Sequence, residues 1–172
     1  MVFSGLVRFH DDLAGLLQPI DSVRQHPNNY NNGDVDALGE SIEVNGMYRP
    51  VYVQAATGFI VAGNTTWEAC KNLGADQIPV VYLDIDDLAA IKILVADNRV
   101  AALARPDDAH LLSILDDLAV TDTLAGTGWN DNTVEGLRLL QQAINHTPLG
   151  WTPKSEPLPV HTCPACGFEF TE

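Results

Sequence analysis

VAGNTTWEA, residues Val61–Ala69, joins two different patterns. An apolar run, GFIVAG, stops at Gly63. Three polar residues, Asn64, Thr65 and Thr66, then lead into TTWEACKNLG, which has the look of a helix closed by Gly74. A strand that breaks at glycine and enters a helix turns the first backbone N–H groups of that helix outward, because they have no acceptor within it. The junction therefore has three readings. It is a cradle for phosphate, an element that reads DNA, or a tight turn in which Asn64 or Thr65 caps the helix. Trp67 precedes Ala69 and Leu73 on the same helix and reads as a packing residue. Cys70 reads as a small buried hydrophobe.

Working outward, DVDALGESIEVNG carries an apolar stripe of Val35, Leu38 and Ile42, with Val44 a further candidate, Asp34 as cap and Asn45-Gly46 as terminator. PVYVQ and GFIVA read as two strands joined at Ala56-Thr57-Gly58. DQIPVVYLDI is a further strand, rich in branched residues. DDLAAIKILVADNRVAALA and DDAHLLSILDDLAV are helices with aspartates at their starts, and TVEGLRLLQQAI is a last one. QPIDSVRQHPNNYNNGD begins with a strand-like piece and becomes an asparagine-rich loop.

These elements set the expected organisation. Residues 1–17 form a short amphipathic helix or an arm, 18–105 the main domain and 106–145 a helical extension. HTPLGWTPKSEPLPV, with four prolines and no periodicity, marks 146–160 as a linker before a tail at 161–172. The fold class is α+β, a small mixed sheet with helices, a helical extension and a short tail.

Composition narrows the function. The 172 residues carry 23 acidic and 9 basic side chains, a net charge of −14. A protein that grips DNA over a broad face neutralises phosphates with Lys and Arg, so extensive DNA binding by this chain alone is disfavoured. No apolar run is long enough to span a membrane, and the N-terminus lacks the pattern of a signal peptide, so a cytoplasmic protein without a membrane partner is expected.

The tail holds the sharpest local motif. Cys163-Pro164-Ala165-Cys166-Gly167 is the knuckle that supplies two thiolates to a structural zinc. His161 is a candidate third ligand. Further candidates are His146, an acidic residue, or the same motif of a second chain, which makes a homodimer closed through the CPxCG tails one expectation.

The order SIEVNGMYRPVYVQ, GFIVAGNTTWEACKNLG, IPVVYLDI, LVADNR resembles the N-terminal domain of the ParB/sulfiredoxin superfamily over roughly residues 18–105. It is most similar to the ParB-like "nuclease" domains found in phage genomes and beside DNA methyltransferases, which also tend to carry an ADNR-like stretch and a GTG loop, here within AGTGW at 125–129. The resemblance implies a nucleotide site for CTP or ATP. It implies a phosphate-binding box at Gly63, Asn64, Thr65 and Thr66, and a third box at Asp97 and Asn98 that holds Mg²⁺ and phosphate. It also implies a first box in the loop from His26 through Asn28 to Tyr30. The chain departs from the family at the glycine box. Asn64-Thr65-Thr66 replaces Glu-Arg-Arg of partition proteins and Cys-His-Arg of sulfiredoxin, so sulfiredoxin's nucleophile is absent. Arg49, Lys71 and Arg99 are the candidate replacements for the missing phosphate-binding arginine.

The function expected is a ParB-like nucleotide-binding protein linked to phage or mobile-element DNA metabolism. Mg²⁺-dependent nucleotide hydrolysis, phosphoryl transfer or nuclease action would accompany binding if the protein is an enzyme. Asp97 would then hold the metal, and Glu43 or Glu68 would serve as base, with nothing to choose between them. The alternative is a non-enzymatic adaptor that associates with DNA or with a DNA-modifying enzyme, or a degenerate dimerising scaffold.

Overall fold

The computed structural model describes residues 2–146, 160–162 and 169–171. It divides into two compact units, Met1–Arg138 and Leu139–Glu172.

In the first unit, β1 (Val2–Ser4) and β2 (Val7–Phe9) form an antiparallel hairpin, and a 3₁₀ turn follows at Asp11–Leu16. The short helix considered for residues 1–17 is not present. The reason lies in the spacing: Val7 and Phe9 alternate with Arg8 and both are fully buried, a two-residue period that suits a strand. The N-terminal residues thus contribute directly to the core.

Strands β3 (Leu17–Pro19), β4 (Arg24–Gln25), β5 (Val51–Gln54), β6 (Phe59–Ala62) and β7 (Gln77–Leu83) build one mixed sheet in the order β3-β7-β5-β6-β4. The β5–β6 hairpin turns at Gly58 (φ +71°), as the Ala-Thr-Gly pattern predicts. β7 lies parallel to β5 and antiparallel to β3. Val51, Val53, Ile60, Ile78 and Val80 carry the sheet's side of the core.

Helix α1 (Val35–Asn45) is capped by Asp34, whose Oδ1 accepts from the Ala37 N–H at 2.9 Å, and it ends at Gly46 (φ +76°). α2 (Asn64–Asn72) follows β6, and α3 (Asp87–Ala102) follows β7 with Asp86 as its cap. α4 (Asp108–Thr121) is capped by Asp107. Each of these aspartates satisfies an N–H that its helix cannot. α5 spans Asp131–His146.

The connection between α4 and α5 is docked on α1. The Gly126 N–H donates to Glu40 Oε1 at 3.0 Å, and Asn45 Nδ2 donates to the Gly126 carbonyl at 2.9 Å. A Cβ at Gly126 would stand 2.7 Å from Val44 Cβ. The GTG segment noted in the sequence is therefore a docking loop. Trp67 packs against the core and donates its indole N–H to the Ile20 carbonyl at 2.9 Å. Cys70 is fully buried, as expected of a small hydrophobe.

In the second unit, β8 (Val160–Thr162) pairs antiparallel with β9 (Glu169–Thr171), placing His161 opposite Phe170. Cys163 and Cys166 lie outside the described residues, so the zinc knuckle stays an expectation. No helix among the described residues is long and apolar enough to cross a membrane.

Candidate functional site

The β6–α2 junction begins at Gly63, which has φ +94° and ψ +26° and is itself the cap residue of α2. Asn64 and Thr65, the caps expected from sequence, are already helical. The glycine is required twice over. Its φ is left-handed, and an added Cβ would approach Val51 Cγ1 to 2.9 Å. The first-turn N–H groups of α2 therefore emerge beside the sheet with no side chain capping them.

Asn64 is buried, only 6 % exposed. Its Oδ1 accepts the His26 N–H at 3.0 Å and its Nδ2 donates to the Ile60 carbonyl at 3.1 Å. The side chain is thus a staple between the box and the loop before α1, and only its backbone faces the site. His26 is 8 % exposed, stacks at a tilt on Phe59 with centroids 5.4 Å apart, and accepts the Asn28 N–H on Nδ1 at 3.1 Å. His26 thus shapes the loop from within, whereas Asn28 is exposed and tied to it only through its N–H.

That loop lies across α2 and α3. Gly33 approaches so closely that a Cβ there would meet Thr65 Oγ1 at 2.5 Å and Cγ2 at 2.8 Å. Asn31 Nδ2 donates to Asn98 Oδ1 at 2.9 Å, and the Tyr30 hydroxyl donates to the Val95 carbonyl at 3.4 Å. Asn98 in turn donates from Nδ2 to the Leu94 carbonyl.

Between these elements lies a cavity of about 240 Å³. The box contributes Gly63, Asn64, Thr65 and Thr66, and α3 contributes Asp97 and Asn98. The loop contributes Asn29 and Asn31, and the segment after α1 contributes Tyr48 and Arg49. Tyr52 lines it from β5 and Ser41 from α1. Of the residues singled out in the sequence, the glycine box, Arg49 and Asp97-Asn98 therefore meet in one place, whereas His26 and Asn28 do not line it.

Others do not join them. Arg99 is exposed and does not line the cavity. Lys71 is held at 2.9 Å by Asp21 and stands 4.8 Å over the Trp67 ring. Glu43 is on the exposed face of α1. Glu68 lines a neighbouring groove with Gln25 and His26, and accepts from Gln25 Nε2 at 2.9 Å. Sequence reading had missed Tyr48, Tyr52, Asn31 and Ser41 as site residues. Their signal was only proximity to named motifs, which does not say which way a side chain points.

Among the described residues, Asp97 carries the one carboxylate on the cavity wall and Arg49 the one guanidinium, which stands 5.5 Å over the Tyr48 ring. Among the described residues, no cluster of three or more His, Cys, Asp or Glu is disposed to hold a metal on its own. Cys70 sits behind the site, its Sγ 3.7 Å from Met47 Sδ, and burial pushes its thiol up to about 12.

Comparison with known proteins places this geometry. Residues 17–99 match the ParB N-terminal domain. The chromosome-partitioning protein ParB of Caulobacter vibrioides is 28 % identical over 89 residues, covering 46 % of this chain and 29 % of that protein. A probable chromosome-partitioning protein ParB of Rickettsia felis is 31 % identical over 84 residues, with the same coverage. The chain spans less than a third of the length of these relatives. The crystal structure of C-terminally truncated ParB from Caulobacter crescentus, complexed with CTP-γ-S, superposes with a TM-score of 0.60 at 23 % identity, covering 73 % of this chain and 77 % of that one. The mixed α+β architecture is thus that of a ParB-like domain, and the glycine box, the asparagine loop and Asp97-Asn98 all lie within the matched segment.

Proposed function

We propose that the ParB-like domain binds a nucleotide in the cavity between the asparagine loop, the Gly63–Thr66 box and α3, and that this serves a DNA-associated process of a phage or mobile element. One observation carries the reading: segments at 29–31, 49, 63–66 and 97–98, distant in sequence, line a single cavity. The matched family and the ParB structure solved with a CTP analogue support it.

In this reading the N–H groups at the start of α2 and the hydroxyls of Thr65 and Thr66 receive a phosphate. Arg49 supplies charge, and the Asn29 and Asn31 amides contact the sugar or base. Asp97 fits a Mg²⁺ that arrives on a phosphate, since that ion is commonly held by one or two carboxylates together with phosphate oxygens. The metal would neutralise phosphate charge there. Asn98 is less free to join it, because its Oδ1 already accepts from Asn31. Neither Glu43 nor Glu68 stands on the cavity wall with Asp97, so binding rather than hydrolysis is the activity proposed.

Thermal denaturation with CTP, ATP, ADP, GTP and their monophosphates, with and without Mg²⁺, tests the reading. A ligand that binds only the folded state raises the melting temperature. A selective rise that is lost in Arg49→Ala supports it, and flat curves with every nucleotide refute it.

A second reading is a protein-binding adaptor. Val100, Leu103 and Val120 on α3 and α4 are 67 %, 56 % and 88 % exposed, on helices rich in aspartate. Such helices suit a protein partner better than DNA. A gel shift that weakens steeply with salt would instead indicate direct phosphate contact.

A further inference from the structure

We infer that the cavity selects ligands of low negative charge, a nucleoside or its monophosphate in preference to a triphosphate; this rests on the nucleotide reading above. Enzymes and binding proteins that hold triphosphates do so with clamps of Arg, Lys or metal. Among the described residues the lining carries one cation, Arg49, and one anion, Asp97, so its side chains offer no net positive charge, and a single Mg²⁺ at Asp97 would answer only part of a triphosphate's charge. The other two basic candidates named from the sequence are committed or turned away. Lys71 is paired with Asp21, and Arg99 does not reach the wall.

What remains is suited to one anionic group and a ring. The start of α2 presents a partial charge of about +0.5 and unpaired N–H groups, flanked by the Thr65 and Thr66 hydroxyls. Tyr48 and Tyr52, 60 % and 40 % exposed, put aromatic surface on the same cavity, where a base can stack. Asn29 and Asn31, whose Nδ2 groups each already donate once within the protein, keep an amide oxygen and a second N–H for the edge of a base.

The test is calorimetric titration of the full chain with cytidine, CMP and CTP, and with adenosine, AMP and ATP, with and without Mg²⁺. The expected result is a monophosphate that binds at least as tightly as its triphosphate. Arg49→Ala should cost the monophosphate at least about tenfold more than it costs the nucleoside, the size of a lost charged hydrogen bond. Thr66→Arg, at a partly exposed site on the same wall, should shift the preference towards the triphosphate. A triphosphate bound tenfold or more tighter than the monophosphate by the unaltered chain, with or without Mg²⁺, overturns the inference and leaves the nucleotide reading intact. Silence from every nucleoside and nucleotide overturns both.

Discussion

Asn31 Nδ2 donates to Asn98 Oδ1 at 2.9 Å and so ties the loop before α1 to the third helix. The bond closes one side of the cavity. Asn31 is exposed and Asn98 half-buried, and the bond's net contribution to stability is only about 0.5–1.5 kcal/mol. Its effect falls on the loop. Asn98→Ala should leave the melting temperature nearly unchanged and speed amide exchange across residues 29–33. Asn31→Ala, which removes the donor instead of the acceptor, should speed exchange to a similar degree. Hydrogen exchange with mass spectrometry reads both.

Asn64→Ala should behave differently. It strands the buried His26 N–H and the Ile60 carbonyl, the two groups that its side chain serves. Leaving a buried group unpaired costs about 1–3 kcal/mol each. A loss of roughly 2–4 kcal/mol in urea denaturation is expected. A loss under half a kcal/mol would mean that the staple is dispensable.

Gly33 and Thr65 form a pair in which only space matters, since the added Cβ at Gly33 would meet the threonine side chain. Gly33→Ala should destabilise by about 1–3 kcal/mol. In a Thr65→Ala background most of that loss should disappear, giving a non-additive cycle. Gly63→Ala is the contrast. There the left-handed φ costs about 1–3 kcal/mol whatever the neighbour, so Val51→Ala should recover only part of it.

Cys70 makes stability depend on pH in the alkaline range. Its folded thiol is raised from 9.0 to about 12 by burial. The folded state then holds the proton more tightly than the unfolded one. The contribution is complete below about pH 9 and is lost as pH rises from there towards 12, up to about 4 kcal/mol in all. Unfolding at about pH 8 and about pH 10.5 should show a steeper fall for wild type than for Cys70→Ala. In the native protein, Cys70 should resist alkylation in a Cys163→Ser, Cys166→Ser background, because the thiolate is the reactive form.

Much of the fold was legible in the chain. Asp34, Asp86 and Asp107 cap helices because a carboxylate next to a helical run has one nearby use. Gly46, Gly58 and Gly74 mark ends and turns because only glycine takes a positive φ freely. These are local effects, settled within a few residues, and the order of elements follows from them. The N-terminal hairpin was less legible. Two strands of three residues are too short for periodicity to declare, and the core that buries Val7 and Phe9 is assembled from distant segments. The site divides in the same way. Gly63, Thr65, Thr66, Asp97 and Asn98 were recognisable as motifs, yet the sequence could not say that Asn64 turns inward as a staple, that Lys71 is taken by Asp21, or that Tyr48 and Tyr52 share the cavity. Chemistry and local backbone preference are properties of a residue and its neighbours, and the sequence by itself determined those. Which side chains face one another across a cavity depends on how the sheet and three helices pack, and only the tertiary structure decided that.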